Sequence, residues 1–440
     1  MLALSLSSCS PEGGKLHQGI AVQLPKAPGM NVLVVSFDAL RADGMGLYGY
    51  HRDTTPNLDQ FAQQALVFDN AYSSAPVTPT SFASVFTGQY PYRVFIRGQL
   101  IATTTLAQVM ADSGRATFGL MNNVQLAPER NFAQGFDQYQ AENLTDETLL
   151  EQAKERLSAL KDTDRSFFGW VHFASPHTPY THRDISDHLA PIETEGRFSK
   201  KVPGHYDVMN EAELERARAL YDGEVFFADY LFGQLLEHLQ ELDLVDKTIV
   251  VVTADHGEEF KDHDQLGHKT LFEEVIRIPL LIRHPDASDG ARTTVPYLNI
   301  DLLPMLTSMV GIEPLPGIDG LDLRAPFPAP RTRVMTNISG KKRLRIAVEQ
   351  GGRKLIQVCY PEYREELYDL ATDPGEHTNI VLDHPGLANT LSDALIGITH
   401  AEPCQLIFNT MSGTAPEELL NPDMREIFSN KFIADLGLHA

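Results

Sequence analysis

In the segment TADHGEEF, Asp255 and His256 stand side by side directly after an apolar run. The pair offers a hard oxygen and a borderline nitrogen to a divalent cation. The plainer alternative is a helix cap beside a solvated loop histidine. Asp38 closes another apolar run, NVLVVSF, in the same manner. Alone it reads as an N-cap, but two acidic strand ends in one sheet read better as ligands. Further on, His263, His268 and Lys269 are candidates for proton transfer and anion contact, or else for a solvated polar loop. His177 lies between Pro176 and Pro179 just past FFGWVHF, where a fixed imidazole can reach a bound anion. His172, inside that run, reads as a core histidine. In SSAPVTPTSF the hydroxyls of Thr78, Thr80 and Ser81 compete as nucleophiles, or simply mark a turn and the start of a helix.

These residues need elements that bring them together. NVLVVSF, FFGWVHF, KTIVVVTA and IPLLIR are continuous apolar runs, as strands buried on both faces require. Helical patterns over 55–65, 104–113, 149–160 and 211–242 alternate with them. The predicted fold is therefore α/β with a mainly parallel sheet flanked by helices, and functional residues belong just past the carboxyl ends of its strands. After about residue 325 the texture changes: RLRIAVEQGGRKLIQVCY predicts a hairpin turning at Gly351-Gly352, within a small α+β C-terminal subdomain. The expected organisation is 1–29 as leader and tether, 30–325 as catalytic domain and 326–440 as C-terminal subdomain.

Lysine and arginine number 36 against 59 acidic residues, a formal charge of −23. That balance argues against a nucleic-acid partner or an anionic membrane surface. It also means that an anionic substrate needs a local cation to draw it in. The three cysteines, Cys9, Cys359 and Cys404, show no metal-ligand spacing and no disulfide framework. MLALSLSSC resembles a bacterial lipobox, which implies lipid attachment at Cys9 and a periplasmic or outer-surface, membrane-anchored lipoprotein. No run of about 20 apolar residues is present to span a membrane.

The stretch NVLVVSFDALRADGMGLYGYHRDTTPNLDQFAQQALVFDNAYSSAP, with TSFASVFTGQYP, PHTPY, TADHGEEF, FEEVIRIPLLIRHP, DLLPMLTSMVGI and ELYDLATDPGEHTNIV, resembles the sulfatase family of the alkaline phosphatase superfamily. The similarity runs over nearly the whole chain from about residue 30. It implies an alkaline-phosphatase-like fold and hydrolysis of a sulfate or phosphate ester, on a small molecule, glycan or lipid. It also implies one divalent ion, Ca, Mg, Mn or Zn, held by Asp38, Asp255 and His256. His177 matches the family's ester-oxygen contact, and either His268 or Lys269 matches its basic residue. Two features depart from the family pattern: Ala39 replaces a second aspartate, and Phe82 replaces the motif arginine. Thr78 falls at the position of the residue matured to formylglycine, and a threonine cannot give that aldehyde because its oxidation yields a ketone. Related transferases and phosphodiesterases use an unmodified threonine there, so Thr78 is the expected nucleophile. Asp222 and Asp229 are expected to be structural. The alternatives are an envelope phospho-group transferase and a non-catalytic sulfatase-like binding protein.

Overall fold

The computed structural model describes residues 21–101, 103–189, 210–287, 289–327, 330–338, 344–360 and 362–412. Cys9, the expected leader up to residue 20 and the tail beyond residue 412 lie outside the described residues. One eight-stranded sheet dominates. Its strands are β1 (Asn31–Asp38), β2 (Leu66–Phe68), β3 (Ala116–Met121), β4 (Gln138–Ala141), β5 (Phe167–Pro176), β6 (Thr248–Ala254), β7 (Leu280–Arg283) and β8 (Ala291–Thr293). Across the sheet they run β8-β2-β7-β6-β1-β5-β3-β4. Only β7 runs antiparallel to its neighbours.

Every residue of β1 and β6 is buried, because both faces of the sheet are covered and each β-branched side chain finds apolar contact above or below. Among the helices beside it are α1 (Pro56–Ala62), α2 (Thr78–Thr87), α3 (Leu106–Asp112), α4 (Asp146–Lys161), α5 (Glu211–Glu241) and α6 (Leu302–Met309). Helices α1, α4 and α5 pack together, as do α2, α3 and α6. Helix α5 is started by a capping box between Asn210 and Glu213. Helix α2 carries Pro79 in its first turn, where no intrahelical N–H is needed, and stops at Gly88, whose φ of 66° closes the last turn.

The predicted hairpin is β10 (Arg345–Gln350) and β11 (Arg353–Val358), turning on two glycines with φ of 61° and 79°. With β9 (Thr332–Asn337) and β12 (Arg364–Asp369) it forms a four-stranded antiparallel sheet, covered by α7 (Pro385–Thr399) and α8 (Pro403–Ser412). Its core is shared with Tyr72, Tyr90, Leu271 and Ile300 of the preceding chain. Lys354, fully buried, meets Glu273 at 3.1 Å and Glu376 at 2.8 Å across that junction.

The cysteine reading needs correction: Cys359 and Cys404 form a disulfide. They are 45 residues apart, so no local spacing announces them. Only the packing of α8 over the end of β11 brings the two thiols together.

Candidate active site at the carboxyl ends of the central strands

Strands β5, β1 and β6 are adjacent and parallel, so their carboxyl ends share one edge. Phe37 pairs with both Phe173 and Ala254, which levels the three ends. Asp38 is the last residue of β1, His177 follows β5, and Asp255 and His256 follow β6. Ligand atoms of Asp38, Asp255 and His256 all lie within 4.8 Å of one another. His256 Nε2 is 3.7 Å from Asp38 Oδ1 and 3.4 Å from Asp255 Oδ2.

The hydrogen bonds decide which atoms remain available. Asp255 Oδ1 accepts from the N–H of Ala39 at 3.2 Å and of His256 at 2.9 Å, leaving Oδ2 without a partner. Asp38 Oδ2 accepts from Asn123 Nδ2 at 2.9 Å, leaving Oδ1 without a partner. His256 Nδ1 donates to the Gly257 carbonyl at 2.9 Å, so Nε2 presents a lone pair. Two buried, unsatisfied carboxylate oxygens and an imidazole nitrogen with its lone pair turned inward thus converge on one point. Buried acceptors left unpaired are costly, and a divalent cation satisfies all three at once. The donor set fits a metal.

Thr78 opens α2, and its Oγ1 lies 3.4 Å from His256 Nε2. The competing hydroxyls are committed elsewhere. Thr80 donates to the Val77 carbonyl at 3.0 Å, and Ser81 donates to the Asp255 carbonyl at 2.8 Å while Asn299 reaches its oxygen. Ser81 therefore ties α2 to the β6 loop and points Thr78 at the cluster.

A relay braces Asp38 from below. Trp170 Nε1 donates to Ser36 Oγ at 2.8 Å, and Ser36 lies 3.0 Å from His172 Nδ1. The Ser36 hydroxyl has one proton and a second lone pair, so it can donate to His172 Nδ1 or accept from it, and the ring's Nε2 is left toward Asp38. That Nε2 faces Asp38 Oδ2 at 3.8 Å and makes no hydrogen bond. His172 is buried as expected, but it also supports the site. Burial alone would raise the Asp38 carboxyl. His177, His172 and His256 outweigh it and hold the carboxyl well below the usual range. Burial likewise opposes charge on His177, yet Asp38 and Glu258 raise it above the ordinary imidazole value. Phe82 packs against His172 and Trp170, with ring centroids 4.7 and 5.6 Å away, so an apolar wall stands beside that imidazole. Ala39 is fully buried with a φ of 64°, and this left-handed turn aims its N–H at Asp255.

His177 Nδ1 donates to the Thr178 carbonyl at 2.7 Å, and its ring centroid is 5.2 Å from that of His268. His268 stacks on His256 at 4.3 Å, and its Nδ1 is 3.4 Å from the buried Glu258. Lys269 is exposed at the mouth of a cleft of about 550 Å³, which it lines with Thr78, Arg97, Arg130 and His268. His263 stands apart, bound to Glu274 at 2.6 Å and to the Glu376 carbonyl at 3.1 Å. Asp222 binds Tyr50 and Arg52, and Asp229 accepts from the N–H groups of Asn57 and Leu58 at the start of α1. Asn123, Ser36 and Glu258 carry no mark in the sequence that sets them apart from ordinary polar residues. Asn123 follows β3, whose Ala, Thr and Gly dilute the apolar run that would have marked a strand end.

A mainly parallel α/β sheet with carboxylates and imidazoles gathered at its carboxyl edge defines an alkaline-phosphatase-like protein. The chain belongs to the Sulfatase family, whose model matches residues 30–312. It is similar to the ulvan-active sulfatase of Formosa agariphila, 26% identical over 73% of this chain and 69% of that one. It is also similar to the choline-sulfatase of Rhizobium meliloti, 24% identical over 80% of this chain and 82% of the relative. Of the mouse arylsulfatase K it spans 40%, at 24% identity over 48% of this chain. Among solved structures, a protein in complex with its substrate D-glucosamine-2-N,6-O-disulfate superposes with a TM-score of 0.73, covering 86% of this chain and 98% of that one at 19% identity. The phosphonate monoester hydrolase of Agrobacterium radiobacter gives 0.69, covering 84% and 95% at 20% identity. At such identities these structures establish the fold.

Proposed function

We propose that this protein is a metal-dependent hydrolase of a sulfate or phosphate ester that uses Thr78, unmodified, as its nucleophile. The observation that carries the reading is the Thr78 hydroxyl at 3.4 Å from His256 Nε2, at the point where Asp38 Oδ1 and Asp255 Oδ2 lack partners. A divalent ion held by Asp38, Asp255 and His256 would lower the hydroxyl pKa and offset charge on the ester's equatorial oxygens. Thr78 Oγ forms a bond to sulfur or phosphorus as the bond to the ester oxygen breaks. The threonine proton ends on the departing alcohol, delivered by His177 or His268. Water then attacks the Thr78 ester, returning the hydroxyl and releasing inorganic sulfate or phosphate. The N-terminus of α2 adds backbone donors toward the anion.

The names of the relatives support an anionic ester substrate: ulvan-active sulfatase, choline-sulfatase and phosphonate monoester hydrolase. Arg97, Arg130 and Lys269 line the cleft over Thr78, a cationic mouth on a chain of net charge −23. The cleft is larger than a bare sulfate or phosphate needs, which suits an ester with a sizeable alcohol. The Cys359–Cys404 disulfide suits an oxidising compartment, as does the lipobox resemblance at Cys9.

The test is a panel of aryl sulfate, phosphate monoester, phosphodiester and phosphonate substrates, assayed after loading with each candidate metal, with Thr78→Ala as control. Turnover that falls at least a thousandfold in Thr78→Ala supports the nucleophile. Equal rates in both proteins remove Thr78 from the mechanism. Absence of turnover and of metal binding supports the non-catalytic alternative, which the missing carboxylate at Ala39 favours.

A further inference from the structure

A second group of ligand-type side chains lies on the segment that follows the first. Glu259, His263 and Glu274 place one donor atom each within 4.8 Å of the others. Glu259 is 1% exposed, and neither carboxylate oxygen has a hydrogen-bond partner. The Thr270 hydroxyl, also buried, stands beside Glu259 as a donor that can reach one of its oxygens. At least one oxygen of this buried carboxylate is left unpaired, a heavy cost unless a proton or a cation is taken up.

The neighbours sharpen that demand. His263 Nε2 donates to the Glu376 carbonyl at 3.1 Å. Nδ1 lies 2.6 Å from Glu274 Oε1, a distance at which a doubly protonated ring donates to both acceptors, so a cation bound between them would displace the Nδ1 proton. Glu274 is itself 8% exposed. Cis ligands of one ion at about 2.1 Å each lie roughly 3 Å apart, and trans ligands roughly 4 Å apart, so the cluster has the span of a coordination sphere.

We propose that Glu259, His263 and Glu274 bind a divalent cation, separate from the Asp38–Asp255–His256 cluster, with zinc as the best match to two carboxylates and one imidazole. His263 is 12% exposed, which leaves a path for entry. The site would clasp both ends of the segment that carries His268, and through the Glu376 carbonyl it would join that segment to the C-terminal part of the chain. It therefore acts as a structural clip that fixes the His268 loop.

The experiment counts zinc in protein stripped with chelator, reloaded and freed of excess ion, for wild type, E259Q, D255N and the double variant. Circular dichroism checks folding, and E274Q serves as a second probe should E259Q unfold. The expected result is one equivalent fewer in E259Q than in wild type, and one fewer in the double variant than in D255N. The zinc-dependent rise in melting temperature that persists in D255N should vanish in D255N/E259Q. If E259Q and E274Q bind as much zinc as wild type, the proposal is overturned and a buried proton fills the cluster. Failure of the Asp38 cluster to bind metal would show separately, as equal counts in wild type and D255N.

Discussion

Replacing Asp255 by asparagine should make the metal-free protein more stable and the metal-loaded protein less stable. Asp255 Oδ1 is occupied by the Ala39 and His256 N–H groups, and asparagine keeps that acceptor. At the other position it exchanges an unpartnered oxygen for an amide that can donate toward Asp38 Oδ1, itself unpartnered. Each unsatisfied buried acceptor costs about 1–3 kcal/mol, so in chelator D255N should gain on that order. A cation at a thousand times its Kd adds about 4 kcal/mol to the protein that binds it, which exceeds the gain. The amide is a poorer ligand for a hard cation, so most of that increment belongs to wild type. Urea denaturation in chelator, then with saturating calcium, magnesium, manganese or zinc, should show the order of the two proteins invert with at least one ion. If wild type is the more stable in chelator, or no ion reverses the order, the convergence of empty carboxylate oxygens is not a metal site and the reasoning fails.

Asn123→Ala should weaken metal affinity or kcat/KM by about 10–100-fold, because it removes the donor that orients Asp38, and metal titration beside steady-state kinetics will measure it. Burial pushes the Asp229 carboxyl up to about 6 despite the N–H donors at the start of α1. The folded chain therefore holds that proton more tightly than the unfolded chain. Its contribution is full at low pH and is lost as pH rises from about 4 to about 6, by up to ~1.4 kcal/mol per pH unit. Asp229→Asn should flatten the stability profile over that window in denaturation series at several pH values. Reducing the Cys359–Cys404 bridge, which closes a 45-residue separation, should lower unfolding free energy by about 4 kcal/mol on the chain-entropy account. Denaturant midpoints with and without reductant test this, and a C359S/C404S protein indifferent to reductant is the control.

Much of this could be read from local pattern. The apolar runs at 31–37, 167–173, 247–254 and 278–283 became strands β1, β5, β6 and β7, because β-branched side chains with no polar face can only be buried on both sides. The same runs placed Asp38, His177, Asp255 and His256 at strand ends, and the parallel α/β rule then predicted a shared edge. Residues outside these signals stayed hidden. Asn123 follows a strand too polar to stand out, and Glu258 and Ser36 look like ordinary polar residues until their partners are known. The Cys359–Cys404 pairing has no local cue.

The sequence by itself determined which elements form and which of them end in a carboxylate or imidazole, since strand burial, helix caps and turn glycines act within a few residues of chain. It also determined that Thr78 carries a hydroxyl that no oxidation can turn into an aldehyde. The tertiary structure decided which hydroxyl faces the cluster. Thr80 and Ser81 are taken up by the Val77 and Asp255 carbonyls, leaving Thr78 beside His256. It decided as well that His268 stacks on the cluster while His263 turns away to Glu274 and Glu376. The bonds that single out Thr78 and anchor His263, from Ser81 to Asp255, Thr78 to His256 and His263 to Glu376, join residues more than a hundred apart and depend on strand order. Neither the partners nor the strand order is set by the spacing of residues along the chain.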